Sequence, residues 1–386
     1  WVRYSLFVAL TLLYTAWIGY QWVRNLLYDF NAYYVSAYGF VHGVDVYGMV
    51  HEATTTNWWR WVELAEAAGV ENFVAPYLYP PLTAQLIVPL LGLPELVAGM
   101  IWLSLTGVAY LLSAWWLGRL WNAPEGASIV YLLFLGSVPA LATLHAGQVT
   151  GFVLLTLTGA MVALARRNAF WSGFALAVAS LLKLLPLALV FYLAWRKQWL
   201  AFVVAIVSMT GLLLTSEWSF GQGTLKEYAD NIFATAQPGI LHVAATNQAL
   251  SGVFARLFSP LLDSSVIYPL YLISALLLVI ATVAICWPMW NLPAYWRLEY
   301  SLIICTLMLI PPYNWYHMLV LLLIPLSVVV EELWRKQQWR LLALLAALYV
   351  VSDIHGLLYH RFEQVRWLTS FPALLVIFLW GLLAWA

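Results

Sequence analysis

Long apolar runs separated by short polar breaks fill the chain from end to end. Crossing a hydrocarbon core of about 30 Å takes some 20 apolar residues of helix. Full or nearly full runs of that kind occupy 4–23, 95–118, 127–144, 149–165, 199–216, 266–288, 314–330, 340–357 and 370–386. Three stretches depart from the pattern. Residues 299–311 are shorter and run into Pro311-Pro312, and 168–195 is long but interrupted by Lys183 and Pro186. Residues 82–93 are apolar but too short to cross, and Pro80-Pro81 and Pro94 bound them, since proline starts and stops helices. The pattern predicts an all-α polytopic membrane protein forming one transmembrane domain over 1–386. The run 4–23 reads as an anchor, because no small-residue cleavage site follows it.

Composition narrows the class further. Hydrophobic residues make up 64% of the 386 and charged residues 9%, against roughly 45–50% and about 25% in soluble domains. Seventeen Lys+Arg balance seventeen Asp+Glu, so the basic excess that nucleic acid would require is missing. Cys286 and Cys305 both lie in apolar runs, where buried free thiols are expected rather than a disulfide or a metal site.

Basic residues beside short loops set the orientation. Arg119, Arg166-Arg167, Arg196-Lys197, Arg297 and Arg335-Lys336 with Arg340 fall on one, cytoplasmic, side if two conditions hold. The stretch 168–195 must be two short helices turning near Lys183, and 82–93 must dip in and return. About twelve crossings result, with both ends of the chain cytoplasmic. The alternative, in which 82–93 crosses and 168–195 is one span, puts Arg166-Arg167 outside. Residues 24–80 and 217–265 then form long outer loops, and loops of such length are usually functional or disordered. The first is rich in Trp and Tyr, including Tyr33, Tyr34 and Trp58, which predicts short helices lying on the membrane surface.

Ionisable and polar groups near membrane depth are functional candidates, and here they collect at the outer ends of the spans. Asp29 reads either as a general base whose pKa partial desolvation raises, or as the N-cap of a helix over 30–42. Lys183, at the tip of the broken pair, needs an anionic partner such as a ligand phosphate, or else snorkels to the interface. Leu144-His145-Ala146-Gly147-Gln148 reads alone as an ordinary turn with a capping amide. Asn247, Gln248 and Arg256 lie in the second long loop, where solvated polar residues need no special account. His317 follows a double proline in Pro-Pro-Tyr-Asn-Trp-Tyr-His. Gly-rich phosphate loops, a G-x-S-x-G elbow, H-E-x-x-H and C-x-x-C are all missing from the sequence.

Taken in order, these segments form a series. Asp29 and Tyr33-Tyr34 come first, then Gly43-Val-Asp-Val-Tyr47, Tyr79-Pro-Pro-Leu82 and Gly147-Gln148. Leu182-Lys-Leu-Leu-Pro186, Asn247-Gln-Ala-Leu-Ser-Gly252 with Arg256, and Tyr313-Asn-Trp-Tyr-His317 follow. The series, over about 29 to 320, resembles the family-87 glycosyltransferases of the GT-C superfamily, which include polyprenol-phosphate-mannose-dependent mannosyltransferases. The resemblance implies a GT-C-type helical bundle in the cytoplasmic (inner) membrane, with its site on the extracytoplasmic side. It implies Asp29 as the essential acid of the first outer loop, Gln148 and Lys183 as lining of the cavity for the lipid-phosphate sugar, and Trp315 and His317 as the late aromatic-His segment. Val46 and Ala249 depart from the family pattern, which has Pro and Ser there.

The residues suit that chemistry. A lipid monophosphate leaves readily, so attack by an acceptor hydroxyl needs one base and not the carboxylate pair of glycoside hydrolases. Direct displacement with inversion follows, with Asp29 as base. Lys183, Arg256 and His317 would meet the charge building on the phosphate, with Gln148, Asn247 and Tyr33 also around the donor. No cofactor is required, and a divalent metal is not indicated, Asp29 and Asp45 being the only nearby acids. The expected partners are a polyprenyl-phosphate sugar, a lipid-linked or glycan acceptor and membrane lipids, but not nucleic acid. Two other readings stand beside this one. A transporter or lipid flippase also uses broken helices, though neither half of the chain repeats the other. A subunit of a larger complex with other membrane proteins would use the many Trp and Tyr for packing.

Overall fold

The computed structural model describes residues 27–55, 58–71, 74–121, 125–235, 243–289, 292, 294–362 and 368–386. The anchor expected at 4–23 lies outside them. The described residues are helical, without a β-sheet; one isolated antiparallel bridge joins Asn247 and Trp315. They gather into two compact units interleaved in sequence, one of residues 1–112, 143–190 and 199–237, the other of 113–142, 191–198 and 238–386.

In the first unit, helices α1 (Tyr28–Val41), α2 (Val46–Thr55) and α3 (Trp59–Ala67) occupy the first loop. These are the short helices expected there. The helix α4 (Pro81–Ile87) continues as a 3₁₀ turn to Leu90, so 82–93 is as short as its prolines require. Helix α5 (Glu95–Leu120) then leads to α6 (Gly126–Gly136) and α7 (Val138–Ala146), which are bent by 55° at Ser137. The single run read over 127–144 is therefore broken, and Pro139, which cannot donate within a continuous helix, sits just past the break. The helices α8 (Thr150–Ala165), α9 (Ala169–Leu182) and α10 (Leu187–Trp195) follow. As expected, 168–195 is two short helices, ending and restarting between Lys183 and Pro186.

Beyond them come α11 (Trp199–Phe220), α12 (Thr224–Thr235), α13 (Leu250–Phe258), α14 (Ser264–Met289) and α15 (Trp296–Leu309). The second unit is completed by a 3₁₀ stretch Tyr316–Leu322 leading into α16 (Leu323–Arg335), and by α17 (Trp339–Phe362) and α18 (Phe371–Trp385). Among the described residues five segments are long and apolar enough to cross a membrane, six if the bent α6–α7 pair is one span. Helix length alone thus does not reach the expected twelve crossings among the described residues; α8 and α9, with 16 and 14 residues, are among the helices that fall short of the hydrocarbon thickness.

Three basic turns share one construction. After α8, the Arg167 N–H bonds to Leu164 O and the Asn168 N–H to Ala163 O. Lys197 and Gln198 repeat this after α10, and Gln337 and Gln338 after α16. Each is a Schellman closure with a left-handed residue (φ 53°, 55° and 54°), here Arg, Lys or Gln instead of the usual glycine. Within the second unit, Glu299 is fully buried, accepts from the Tyr192 hydroxyl at 2.7 Å and pairs with Arg196 at 3.2 Å, fastening the end of α10 to α15. Cys286 and Cys305 are free and buried.

Candidate active site

Asp29 is the second residue of α1 and is 8% exposed. The N-cap position is Leu27 and Asp29 lies inside the first turn, so the N-cap reading fails. The residue before the helix, Leu27, has a left-handed backbone (φ 31°), and its carbonyl takes the first helical bond from Asn31 N–H at 2.8 Å. A carboxylate in the first turn is favoured by the helix dipole, but here it is turned inward.

What receives it is the Gly147-Gln148 turn. Helix α7 ends in a Schellman closure, with the Gly147 N–H on Leu144 O and the Gln148 N–H on Thr143 O. Gly147 has φ +68°, and a Cβ there would stand 2.6 Å from Phe30 Cβ. Glycine is therefore required twice over, by its backbone angle and by the approach of α1. Its carbonyl accepts the Trp102 indole N–H at 2.8 Å, which fixes the turn against α5.

Gln148 is held in one amide orientation. The Val149 N–H donates to the Tyr33 hydroxyl at 3.3 Å, leaving the Tyr33 proton for Gln148 Oε1 at 3.0 Å. The amide nitrogen donates to the Tyr79 hydroxyl at 2.8 Å, and that hydroxyl also lies 3.1 Å from Oε1; the Gln148 side chain favours the ionised form of Asp29 as well. Burial pushes the Asp29 carboxyl up to about 7, against the Gln148 hydrogen bond and the nearby Lys183 charge, which both favour its ionised form.

Tyr79 was not among the residues read from the sequence as candidates for the site. Tyrosine beside prolines at a membrane interface is ordinary composition, and only the fold distinguishes it. Tyr77 accepts from the Ala84 N–H at 3.0 Å and donates to Pro80 O at 2.7 Å, tying the Tyr-Pro-Pro segment to the start of α4. Tyr47 donates to Tyr79 O at 2.8 Å, and Asp45 accepts from the Gly48 N–H at 2.7 Å to cap α2. The 43–47 segment thus supports Tyr79 from behind. The Tyr79 ring meets Tyr33 edge-on at 4.8 Å, and the Lys183 ammonium stands 5.5 Å from its centroid, within cation–π range. Lys183 itself has extended backbone (φ −149°, ψ 136°) where α9 stops. Asp29, Tyr33, Tyr79, Gln148 and Lys183 therefore form one cluster within the first unit. Tyr33 is fully buried and supports Gln148; it does not offer a face to a donor.

The remaining candidates belong to the second unit. Asn247 is fully buried and its amide is saturated. Oδ1 accepts from the Ala249 and Asn314 N–H groups, and Nδ2 donates to Ser251 Oγ and Pro312 O. The solvated-loop expectation for Asn247 and Gln248 fails, since both are 0% exposed. Gln248 closes the same knot, donating to Ala245 O and Thr369 O. A Cβ at Gly252 would lie 2.5 Å from Asn247 O, which explains the glycine. Arg256 donates to Ala244 O, Asn247 O and Ser370 Oγ. These residues shape the turn that precedes His317, which is half-buried, beside the exposed Trp315. Among the described residues no three His, Cys, Asp or Glu side chains gather where a metal ion could be held.

No curated protein matches the chain. The sequence model of glycosyltransferase family 87 matches residues 77–312. That span takes in Tyr79, Gly147-Gln148, Lys183, Asn247 and Arg256; Asp29 and His317 lie beyond its ends. A match over more than half of the chain, on an all-α polytopic fold, settles the family: the chain belongs to glycosyltransferase family 87.

Proposed function

We propose that this glycosyltransferase takes a sugar, mannose by resemblance, from a polyprenyl-phosphate donor at the extracytoplasmic face of a cytoplasmic membrane. The acceptor is a hydroxyl of a lipid-linked sugar or glycan. The observation that carries the reading is the meeting of Asp29 and Lys183 about one Tyr-Gln-Tyr cluster, a base and a cation beside a single reaction centre.

The acceptor oxygen attacks the anomeric carbon while Asp29 takes its proton. The bond from that carbon to the phosphate oxygen breaks, and polyprenyl phosphate leaves with the electron pair, its charge met by Lys183. The described groups whose charge acts on Asp29 or responds to it are Lys183, Tyr33 and Tyr79, none of them a second carboxylate. One base and one displacement invert the anomeric centre. Leu78 and Leu184, the neighbours of Tyr79 and Lys183, are 49% and 44% exposed, an apolar flank suited to an isoprenoid chain. Gln148 and Tyr33 hold the base. In the second unit, Asn247 and Arg256 act on the shape of the 313–317 segment, where the His317 Nε2 is buried. Membership of a glycosyltransferase family removes the ground for a transporter.

The purified protein in lipid vesicles, given either radiolabelled polyprenyl-phosphate sugars or radiolabelled nucleotide sugars with a membrane lipid extract, tests this. Transfer from the lipid donor alone, with inverted configuration in the product, is expected. Transfer from a nucleotide sugar alone would overturn the reading.

A further inference from the structure

Asp29 and Lys183 carry opposite charges and attract each other across the site, yet they form no ion pair. In a largely buried site such a pair would be expected to close, since little water competes for either charge. Closure would disable both groups. A paired carboxylate is a poor base, and a paired ammonium has no charge left for a phosphate.

Tyr79 lies against Lys183 and against the Gln148 amide that holds Asp29. Its hydroxyl receives the Gln148 amide proton at 2.8 Å, and Gln148 is also the hydrogen-bond partner of Asp29. Its ring face meets the Lys183 ammonium at 5.5 Å. Tyr79 is not free to swing aside. Its carbonyl is held by the Tyr47 hydroxyl at 2.8 Å, its ring is wedged edge-on against Tyr33, and the next two residues are Pro80 and Pro81. Phenylalanine would preserve the wedge and the cation contact, whereas a small side chain would open a gap.

We infer that Tyr79 is a positioning residue that keeps Asp29 and Lys183 apart, so that the base stays unpaired and the ammonium stays open to an anion. The inference rests on the proposed roles of these two groups for its significance, but the spacing is tested by the reactivity of Asp29 alone, without any sugar donor. The titratable and charged groups that act on Asp29 or respond to it are Tyr33 on its own helix, Tyr79 from the segment before α4 and Lys183 from the α9–α10 break; Tyr28, its neighbour in α1, acts on Tyr79 and meets the His145 ring edge-on at 6.3 Å.

A hydrophobic carbodiimide modifies protonated carboxyl groups, and mass spectrometry of the intact purified protein across a pH series gives the half-point for Asp29. In Tyr79→Ala the ion pair closes, and the half-point falls by at least about one pH unit, the effect of an opposite charge brought within a few ångströms. Tyr79→Phe shows less than half of that shift. In Tyr79→Ala combined with Lys183→Ala, compared with Lys183→Ala alone, the fall disappears. Should Tyr79→Ala not accumulate as folded protein, Tyr79→Val opens the same gap with less loss of packing and shifts in the same direction. A half-point that stays or rises in the small variants, or a fall that persists without Lys183, overturns the inference. Failure of sugar transfer in the vesicle assay would instead count against the donor assignment and leave this result standing.

Discussion

The Tyr33 hydroxyl donates to Gln148 Oε1 at 3.0 Å, between residues 115 positions apart in the chain. The same hydroxyl accepts the Val149 N–H at 3.3 Å, so Tyr33 binds both the side chain of Gln148 and the backbone next to it. The Gln148 side chain beside the proposed base is thereby tied to the first-loop helix.

Replacing Gln148 with Leu removes the amide but keeps the volume. The Tyr33 and Tyr79 hydroxyls lose a partner and Asp29 loses a hydrogen bond that favours its ionised form. Transfer should fall by about 10–100-fold, and the acid limb of the rate profile should move to higher pH. Initial rates across a pH series at saturating donor measure both.

Gly147→Ala sets a Cβ against Phe30 and forces a side chain onto a left-handed backbone. Either alone destabilises, together by about 1–3 kcal/mol. Thermal unfolding in detergent should show the loss. Gly381→Ala, on α18 with open space around it, should not.

The burial of Asp29 has a signed consequence for pH. Its carboxyl in the folded protein sits at about 7, well above the ordinary 3.8, so the folded state binds the proton more tightly than the unfolded chain. This group therefore favours folding at low pH, and that contribution is lost between about 4 and 7 as the pH rises. Transfer runs the other way, rising through pH 7 as the base ionises. Asp29→Asn should thus raise the melting temperature above pH 7, by on the order of 2–4 °C, and leave it little changed at pH 4. Differential scanning fluorimetry at the two pH values checks the sign.

Lys183 and Arg256, both basic and both outside simple spans in the sequence, should separate in kinetics. Lys183→Gln removes the charge proposed to meet the phosphate, so the donor KM rises about tenfold or more while the fold survives. Arg256→Gln breaks bonds to two carbonyls and Ser370 inside the second unit. Folded yield and melting temperature should fall, with the donor KM of the remaining protein unchanged. Steady-state kinetics paired with melting curves resolves the two.

The sequence made parts of this arrangement readable for definite reasons. Pro186 removes a helical donor, so the break beside Lys183 could be read directly, and a lysine at such a break stood out from its apolar surroundings. Asp29 could be singled out but not decided, because an acid near a helix start caps as readily as it catalyses. The structure decides it by starting the helix at Tyr28, with Leu27 as its N-cap. The bend at Ser137 was hidden, since Val138-Pro139 also suits a continuous apolar run. Tyr79 and the Asn247 knot were hidden for a deeper reason. Tyrosine, asparagine and glutamine are ordinary in loops, and only contacts with Tyr47, Asn314 and Thr369 reveal that these particular ones are fixed.

The central claim is that Asp29 is the single base of the transfer. Purified wild-type protein and Asp29→Asn, incorporated at equal amounts into vesicles, are compared by the initial rate of sugar transfer from a radiolabelled polyprenyl-phosphate donor. A loss of at least about 100-fold is expected with donor binding retained, because Lys183 and Tyr79 are untouched. Transfer by Asp29→Asn at the wild-type rate would contradict it.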